Sequence, residues 1–176
     1  MTGFRLDKGG LIDRRRKIHF RYNGQQVTGF KGDTIASALM ASGHMLVGRS
    51  FKYHRPRGIM SAGVEEGGAL FNTGDGAARV PNVKGTVTEI SEGLRVYSQN
   101  VFPSPRFDLG VVNGLIAPFI TAGFYYKTFM GPFANTKFWM LCERFIRKAA
   151  GLGRASREAD PSKSVSYTHL TLPTIE

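Results

Sequence analysis

Apolar and polar residues alternate along Ile18-His19-Phe20-Arg21-Tyr22, Asn23-Gly24 follows, and a second extended run goes from Gln25 to Phe30. A period of two marks strands, and Asn-Gly suits the positive-φ positions of a two-residue turn, so this segment predicts a β-hairpin. Lys31-Gly32-Asp33 interrupts it. Asp33 is placed to cap a helix over 34–42 that lines up Ile35, Ala38 and Leu39 on one face, with Gly43 as a left-handed stop. Met45-Leu46-Val47 predicts a short third strand. Further on, Ala69-Leu70-Phe71 is extended, 72–76 is a turn, and 86–90 with 94–97 predicts a second hairpin around Ser91-Glu92-Gly93. Beyond the linker Phe102-Pro103-Ser104-Pro105, the residues Phe138, Leu141, Cys142, Phe145, Ile146 and Ala149 keep helical spacing, and Glu143 stands four residues before Arg147. That stripe is a docking face, and Gly151 ends the helix.

Hairpin, helix, then more short strands is the order of an α+β domain of the β-grasp type, a mixed sheet wrapped over one helix. The expected organisation is a basic arm at 1–16, a ferredoxin-like β-grasp domain at 17–100 and an aromatic-rich, partly helical docking extension at 101–150. A linker at 151–165 and a terminal stretch at 166–176 complete it. That last stretch fits neither pattern nor context, looks like translated adapter sequence, and implies that the natural protein continues. Leu109 to Tyr126 is uncharged for eighteen residues, but its glycines, Pro118 and Asn113 argue for a buried or subunit-docking segment rather than a membrane span.

Charge changes this picture locally. The net charge of +11 is concentrated in Arg5 to Lys31, where eight cations face only Asp7 and Asp13, and in the loop Gly48-Arg49-Ser50-Phe51-Lys52-Tyr53-His54-Arg55-Pro56-Arg57-Gly58. Proline stiffens that loop and disfavours helix before it, so an extended loop is expected, presenting guanidinium groups and rings. Charge alone leaves two readings open: a surface that faces a polyanion, or one that is solvated or meets a partner. Arg49, Lys52, His54, Arg55 and Arg57 are the candidates for contact with an anionic cofactor or a subunit interface. The alternative is that Arg49, Arg55 and Arg57 pair with Glu65, Glu66 and Asp75, with Glu65-Glu66 otherwise solvated charge beside the loop.

Catalytic motifs are lacking: the chain has no GxGxxG, P-loop, HExxH or GxSxG pattern, and its four histidines are scattered. The lone Cys142 excludes an internal disulfide and a four-cysteine site, and packs as an inert apolar residue. No catalytic residue is assigned.

The loop and its continuation, Gly48 through Glu66, resemble the N-terminal region of the α subunit of heterotetrameric sarcosine oxidase. The likeness extends to Gly32-Asp33-Thr34 with Ala36-Ser37-Ala38-Leu39, to Phe107-Asp108-Leu109-Gly110, to 122–130 and to 147–153. It implies a flavoenzyme that oxidatively demethylates sarcosine to glycine, yielding hydrogen peroxide and formaldehyde or methylene-tetrahydrofolate. It also implies FAD, FMN and NAD in the intact enzyme, and Rossmann and aminomethyltransferase-like domains of the same chain that are missing here. β, γ and δ subunits and a cytoplasmic setting complete that picture. This module would serve as scaffold and cover cofactor, inactive by itself and with no cofactor, nucleic acid or membrane of its own.

Related dehydrogenases carry a [2Fe–2S] cluster on the same module. Their cysteine positions fall here on Ser61, Glu66 and Ala69, with a fourth near Val80, and none supplies a thiolate. A ferredoxin fold without its cluster is the expectation. The alternatives are a basic nucleic-acid-binding module, for which Phe51 and Tyr53 among cations would serve as stacking platforms, or a [2Fe–2S] electron carrier.

Overall fold

The computed structural model describes residues 4–115, 136–149, 151 and 153–159. Strands β1 (Asp13–Tyr22) and β2 (Gln25–Lys31) form the expected hairpin, turning at Asn23 (φ 47°) and Gly24 (φ 84°). β1 begins at Asp13, so Arg14, Arg15 and Arg16 lie within the strand. Helix α1 (Ile35–Ala41) follows. Next come β3 (Gly48–Arg49), β4 (Pro56–Arg57), β5 (Leu70–Thr73), β6 (Val80–Lys84) and β7 (Arg95–Ser98), then helix α2 (Thr136–Ala149). The main sheet runs β2-β1-β7-β5-β6, with β1 and β7 parallel and the other neighbours antiparallel. β3 and β4 form a separate two-stranded ribbon.

The sheet packs on α1. Phe20 and Tyr22 of β1, Val27 of β2, Phe71 of β5 and Val96 of β7 close on Ile35, Ala38 and Leu39, with Val47, Ala69 and Ile90 filling the margins. Gly29 of β2 permits this closeness, because a Cβ there would overlap the Ile90 side chain and press on Ala38. Mixed sheet over one helix is the β-grasp arrangement of an α+β domain.

Three expectations change, and one strand forms that the pattern did not predict. Thr34, not Asp33, caps α1: its hydroxyl accepts from Ser37 N (3.2 Å), and Ser37 Oγ accepts from Thr34 N (3.0 Å), a capping box. No strand forms at 45–47; pairing begins at Gly48, although Val47 is buried and its N–H donates to Arg57 O. Residues 86–90 do not pair with β7. They cross the start of α1 instead, where Ile35 N donates to Thr88 O and Ala36 N to Gly85 O, satisfying amides that a helix start leaves open. On the side of β5 away from β7 the partner is β6, whose Pro81 and left-handed Asn82 (φ 59°) conceal it in sequence and suit a sheet edge.

Asp33 is 1% exposed and joins three parts of the chain. Its carboxylate accepts both Arg5 Nη atoms (3.0 and 2.7 Å), Phe30 N (2.8 Å) and Ser37 Oγ (2.8 Å), and its carbonyl accepts Ile90 N. Arg5 also lies over the Phe30 ring. Asp33→Ala would strand a buried N–H and hydroxyl, and a loss of about 3 kcal/mol is expected. Arg5→Ala, whose partner keeps two donors, should lose less than half of that. Urea unfolding of both variants checks the order.

Candidate functional site

The basic segment is not an extended loop but a short hairpin. Gly48 pairs with Arg57 and Arg49 with Pro56. Ser50 N donates to Arg55 O, His54 N to Ser50 O, and Arg55 N to Ser50 Oγ. His54 closes the turn at φ 51°, a left-handed conformation uncommon for a residue with a side chain.

Its five candidate residues divide into two groups. Arg49 and His54 turn toward the segment that follows the sheet. Arg49 donates from Nε to Pro105 O (2.8 Å), from Nη2 to Arg106 O (3.3 Å) and from Nη1 to His54 O (3.0 Å). His54 Nδ1 lies 2.6 Å from Asp108 Oδ2, and that carboxylate also accepts Phe102 N (2.9 Å) and Gly110 N (3.3 Å). An ionised carboxylate only accepts, so the proton sits on Nδ1. Burial works to raise the Asp108 pKa, but the Phe102 amide, His54 and the Gly110 amide outweigh it and hold the group below the usual carboxylate range. Gly110 is required here, since a Cβ would overlap the His54 ring. Asn113 Nδ2 donates to Lys52 O, and Asn100 Nδ2 to Arg49 O and Ser50 O, completing the clamp.

Lys52, Arg55 and Arg57 form the second group; both arginines are exposed and Lys52 is half-buried. Arg55 and Lys52 both stand over the Tyr53 ring, at 5.1 and 4.9 Å from its centroid. Cations of the same hairpin thus stand where a stacked base would lie. Neither Glu65 nor Glu66 forms an ion pair with Arg49, Arg55 or Arg57 among the described residues, and Asp75 is engaged by Arg95 and Tyr97. Asp108, Asn100 and Asn113 were not singled out from the sequence. Asp108 lies in the Phe107–Gly110 block of the family resemblance, Asn113 entered only as a polar residue of the uncharged 109–126 stretch, and Asn100 carried no signal.

Glu66 corrects the expectation of solvated charge: it is 2% exposed. Its Oε2 accepts Met60 N (2.6 Å), Ser61 N (2.7 Å) and Ser61 Oγ (3.5 Å), and its Oε1 accepts Gly68 N (2.5 Å). Burial pushes its pKa up, yet the amides of Ser61, Gly68, Met60 and Ala69 together bring it below the ordinary glutamate range. Between this loop and the basic hairpin opens a cleft of about 550 Å³, walled by Gly48, Arg57, Ser61, Gly67, Gln99 and Asn100 among others.

A [2Fe–2S] centre does not fit this donor set. Ser61 is exposed, Ala69 is fully buried in the apolar core and Val80 is half-exposed on β6. Cys142 lies on α2, and no group of three or more His, Cys, Asp or Glu side chains converges among the described residues.

Past the clamp, a 3-10 turn over Leu109–Gly114 leaves Leu109, Val111 and Val112 exposed, so the described part of the 109–126 segment is not buried. Residues 116–126, with their bearing on a membrane span, lie outside the described residues, as do the block at 122–130 and the terminal stretch at 166–176. No described helix is long and apolar enough to cross a membrane. The helix expected near 138–149 is α2; its Phe138, Leu141 and Phe145 are exposed, and Glu143 pairs with Arg147.

Fold and loop define a ferredoxin-like β-grasp domain, and residues 15–101 match the family of 2Fe-2S iron-sulfur cluster binding domains. The chain is related to sarcosine oxidase α subunits: it is 52% identical over 174 residues to sarcosine oxidase subunit alpha of Rhizobium meliloti (strain 1021), across 98% of this chain and 17% of that protein. The corresponding subunit of Corynebacterium sp. (strain U-96) is 47% identical over 66 residues, covering 38% of this chain and 7% of that one. The chain therefore spans less than a fifth of these relatives' length. Among solved structures, L-proline dehydrogenase from P. horikoshii is similar at a TM-score of 0.40 and 15% identity, over 52% of this chain and 17% of that one.

Glu66 and Asp108, both held below their ordinary range, set an acid limit. A group with a lowered folded pKa contributes stability that is complete above its unfolded pKa of about 4 and is lost as the pH falls through the folded value. The unfolding temperature should hold from neutral pH down to about 5 and decline below about 4. In Asp108→Asn the decline should be shallower. Thermal unfolding across a pH series reads this, and wild-type stability that rises on acidification would contradict it.

Proposed function

We propose that this chain is the N-terminal ferredoxin-like module of a sarcosine-oxidase-type α subunit, carrying no iron–sulfur cluster. The identity of 52% over 174 residues carries the reading. The intact enzyme oxidatively demethylates sarcosine to glycine, releasing hydrogen peroxide and formaldehyde or methylene-tetrahydrofolate, with FAD, FMN and NAD as its redox cofactors. Its remaining parts are Rossmann and aminomethyltransferase-like domains of the same chain and β, γ and δ subunits, in the cytoplasm. The module spans 17–100 after a basic arm at 1–16, with a docking extension at 101–150 and a linker at 151–165; the family match over 15–101 supports that division. The exposed apolar residues Leu109, Val112, Leu141 and Phe145 support a docking role for the extension.

Within the module the basic hairpin faces an anionic cofactor or the neighbouring subunit. Arg49 and His54 hold its shape through the 102–114 clamp, while the exposed Arg55 and Arg57, the latter lining the cleft, make the contact. Guanidinium offers phosphate or carboxylate a bidentate fork that an ammonium cannot copy.

In the assembled enzyme, Arg55→Lys and Arg57→Lys should lower bound flavin or dinucleotide, or subunit assembly, several-fold, while the unfolding temperature stays within about 2 °C. Flavin absorbance, size-exclusion profile and thermal unfolding on the same samples check this. Unchanged cofactor content and assembly would remove the assignment.

A further inference from the structure

We propose that the Glu66 carboxylate is the anion around which the loop from Ile59 to Ala69 folds, taking the place that a metal cluster has in cluster-bearing domains of this type. Among the described residues, every hydrogen bond to the carboxylate comes from its own loop: Met60 N, Ser61 N and Ser61 Oγ on one oxygen, Gly68 N on the other. Among the described residues no Lys, Arg or His forms an ion pair with it, and the residue is 2% exposed. A buried charge with no counter-ion is stable only if oriented dipoles surround it, and converging backbone N–H groups form such an anion nest.

The geometry selects for negative charge rather than for mere polarity. Each group aimed at the carboxylate is a donor, so a side chain bringing an N–H of its own would meet N–H groups head on. The loop is also built close around it. A Cβ at Gly68 would come within 3.0 Å of Glu66 Oε1 and 2.9 Å of Gly58 O, so the backbone there can approach only as glycine. Amides converging on one anionic centre are also what the sulfurs of an iron–sulfur cluster accept. Here a carboxylate supplied by the chain occupies one of the positions that would otherwise carry a ligand. The loop therefore keeps its shape without metal and without redox activity, and presents Ser61, Gly67 and Gly68 to the cleft against Arg57.

This inference rests on the cluster-free reading above, and the test separates the two. Iron and sulfide are assayed in the purified wild-type chain, and amide hydrogen exchange is followed in peptides covering 59–69 and 13–31. Glu66→Gln is expected to speed exchange in 59–69 about ten- to a hundredfold, the range set by losing hydrogen bonds to a charged acceptor, and to leave 13–31 unchanged. Glu66→Ala should behave likewise, with formate restoring protection to 59–69 where chloride at equal concentration does not, a rescue that lost packing alone would not show. If both variants unfold throughout, recovery of Glu66→Ala by formate supports the proposal and failure to recover overturns it. Wild-type protection of 59–69 in both variants overturns it alone. Stoichiometric iron and sulfide in the wild-type chain would overturn the cluster-free reading and the proposal together.

Discussion

Helix α1 has only seven residues, too short to hold itself in water, and everything else in the domain is arranged to hold it. Asp33 is the point of attachment. Its carboxylate receives Arg5 from the N-terminal side, Phe30 N from the end of β2 and Ser37 from the first helical turn, while its carbonyl receives Ile90 from the crossing segment. One buried acid thereby fixes where the helix starts, how the hairpin enters it and how residues 85–90 return across it. The sheet order follows, because β7 can lie parallel to β1 only once that return has been made.

The same device appears twice more. Glu66 and Asp108 are buried, and each collects backbone amides from a loop that has no regular partner. In a chain with a net charge of +11, the cations face mostly outward and the few buried acids hold the junctions. A carboxylate suits that task because it accepts from several directions at once, and amide dipoles can replace a counter-ion where no side chain reaches. The basic hairpin is where the two kinds of charge meet: Arg49 and His54 reach back to the 105–108 segment, leaving Arg55 and Arg57 at the surface.

Legibility in the sequence tracked how local the physics was. The β1–β2 hairpin, the α1 face and the α2 stripe rest on contacts between residues a few positions apart, where period and turn chemistry decide the outcome. Asp33 as a cap was a near miss, since Thr34 beside it has the same chemistry and won the position through its reciprocal bond with Ser37. The second hairpin failed for a different reason. Residues 86–90 have strand-like composition, but open amides at the start of α1 compete for their carbonyls, and that competitor lies about fifty residues earlier.

The amino-acid sequence alone determined the class of fold, the placement of charge and the lack of thiolates at the cluster positions, because each depends on residue identity and short-range periodicity. Its block-by-block resemblance carried the family. Only the tertiary structure decided which charges were buried. Glu65 and Glu66 are neighbours of identical chemistry, yet one is exposed and the other is enclosed by four donor groups of its own loop. Likewise, nothing local distinguishes Arg49 from Arg55: three carbonyl contacts, two of them from residues more than fifty positions away, draw one inward, while the other stays at the surface over Tyr53. Burial of a charge is settled by donors that converge from distant or irregular backbone, and that convergence exists only once the chain has folded.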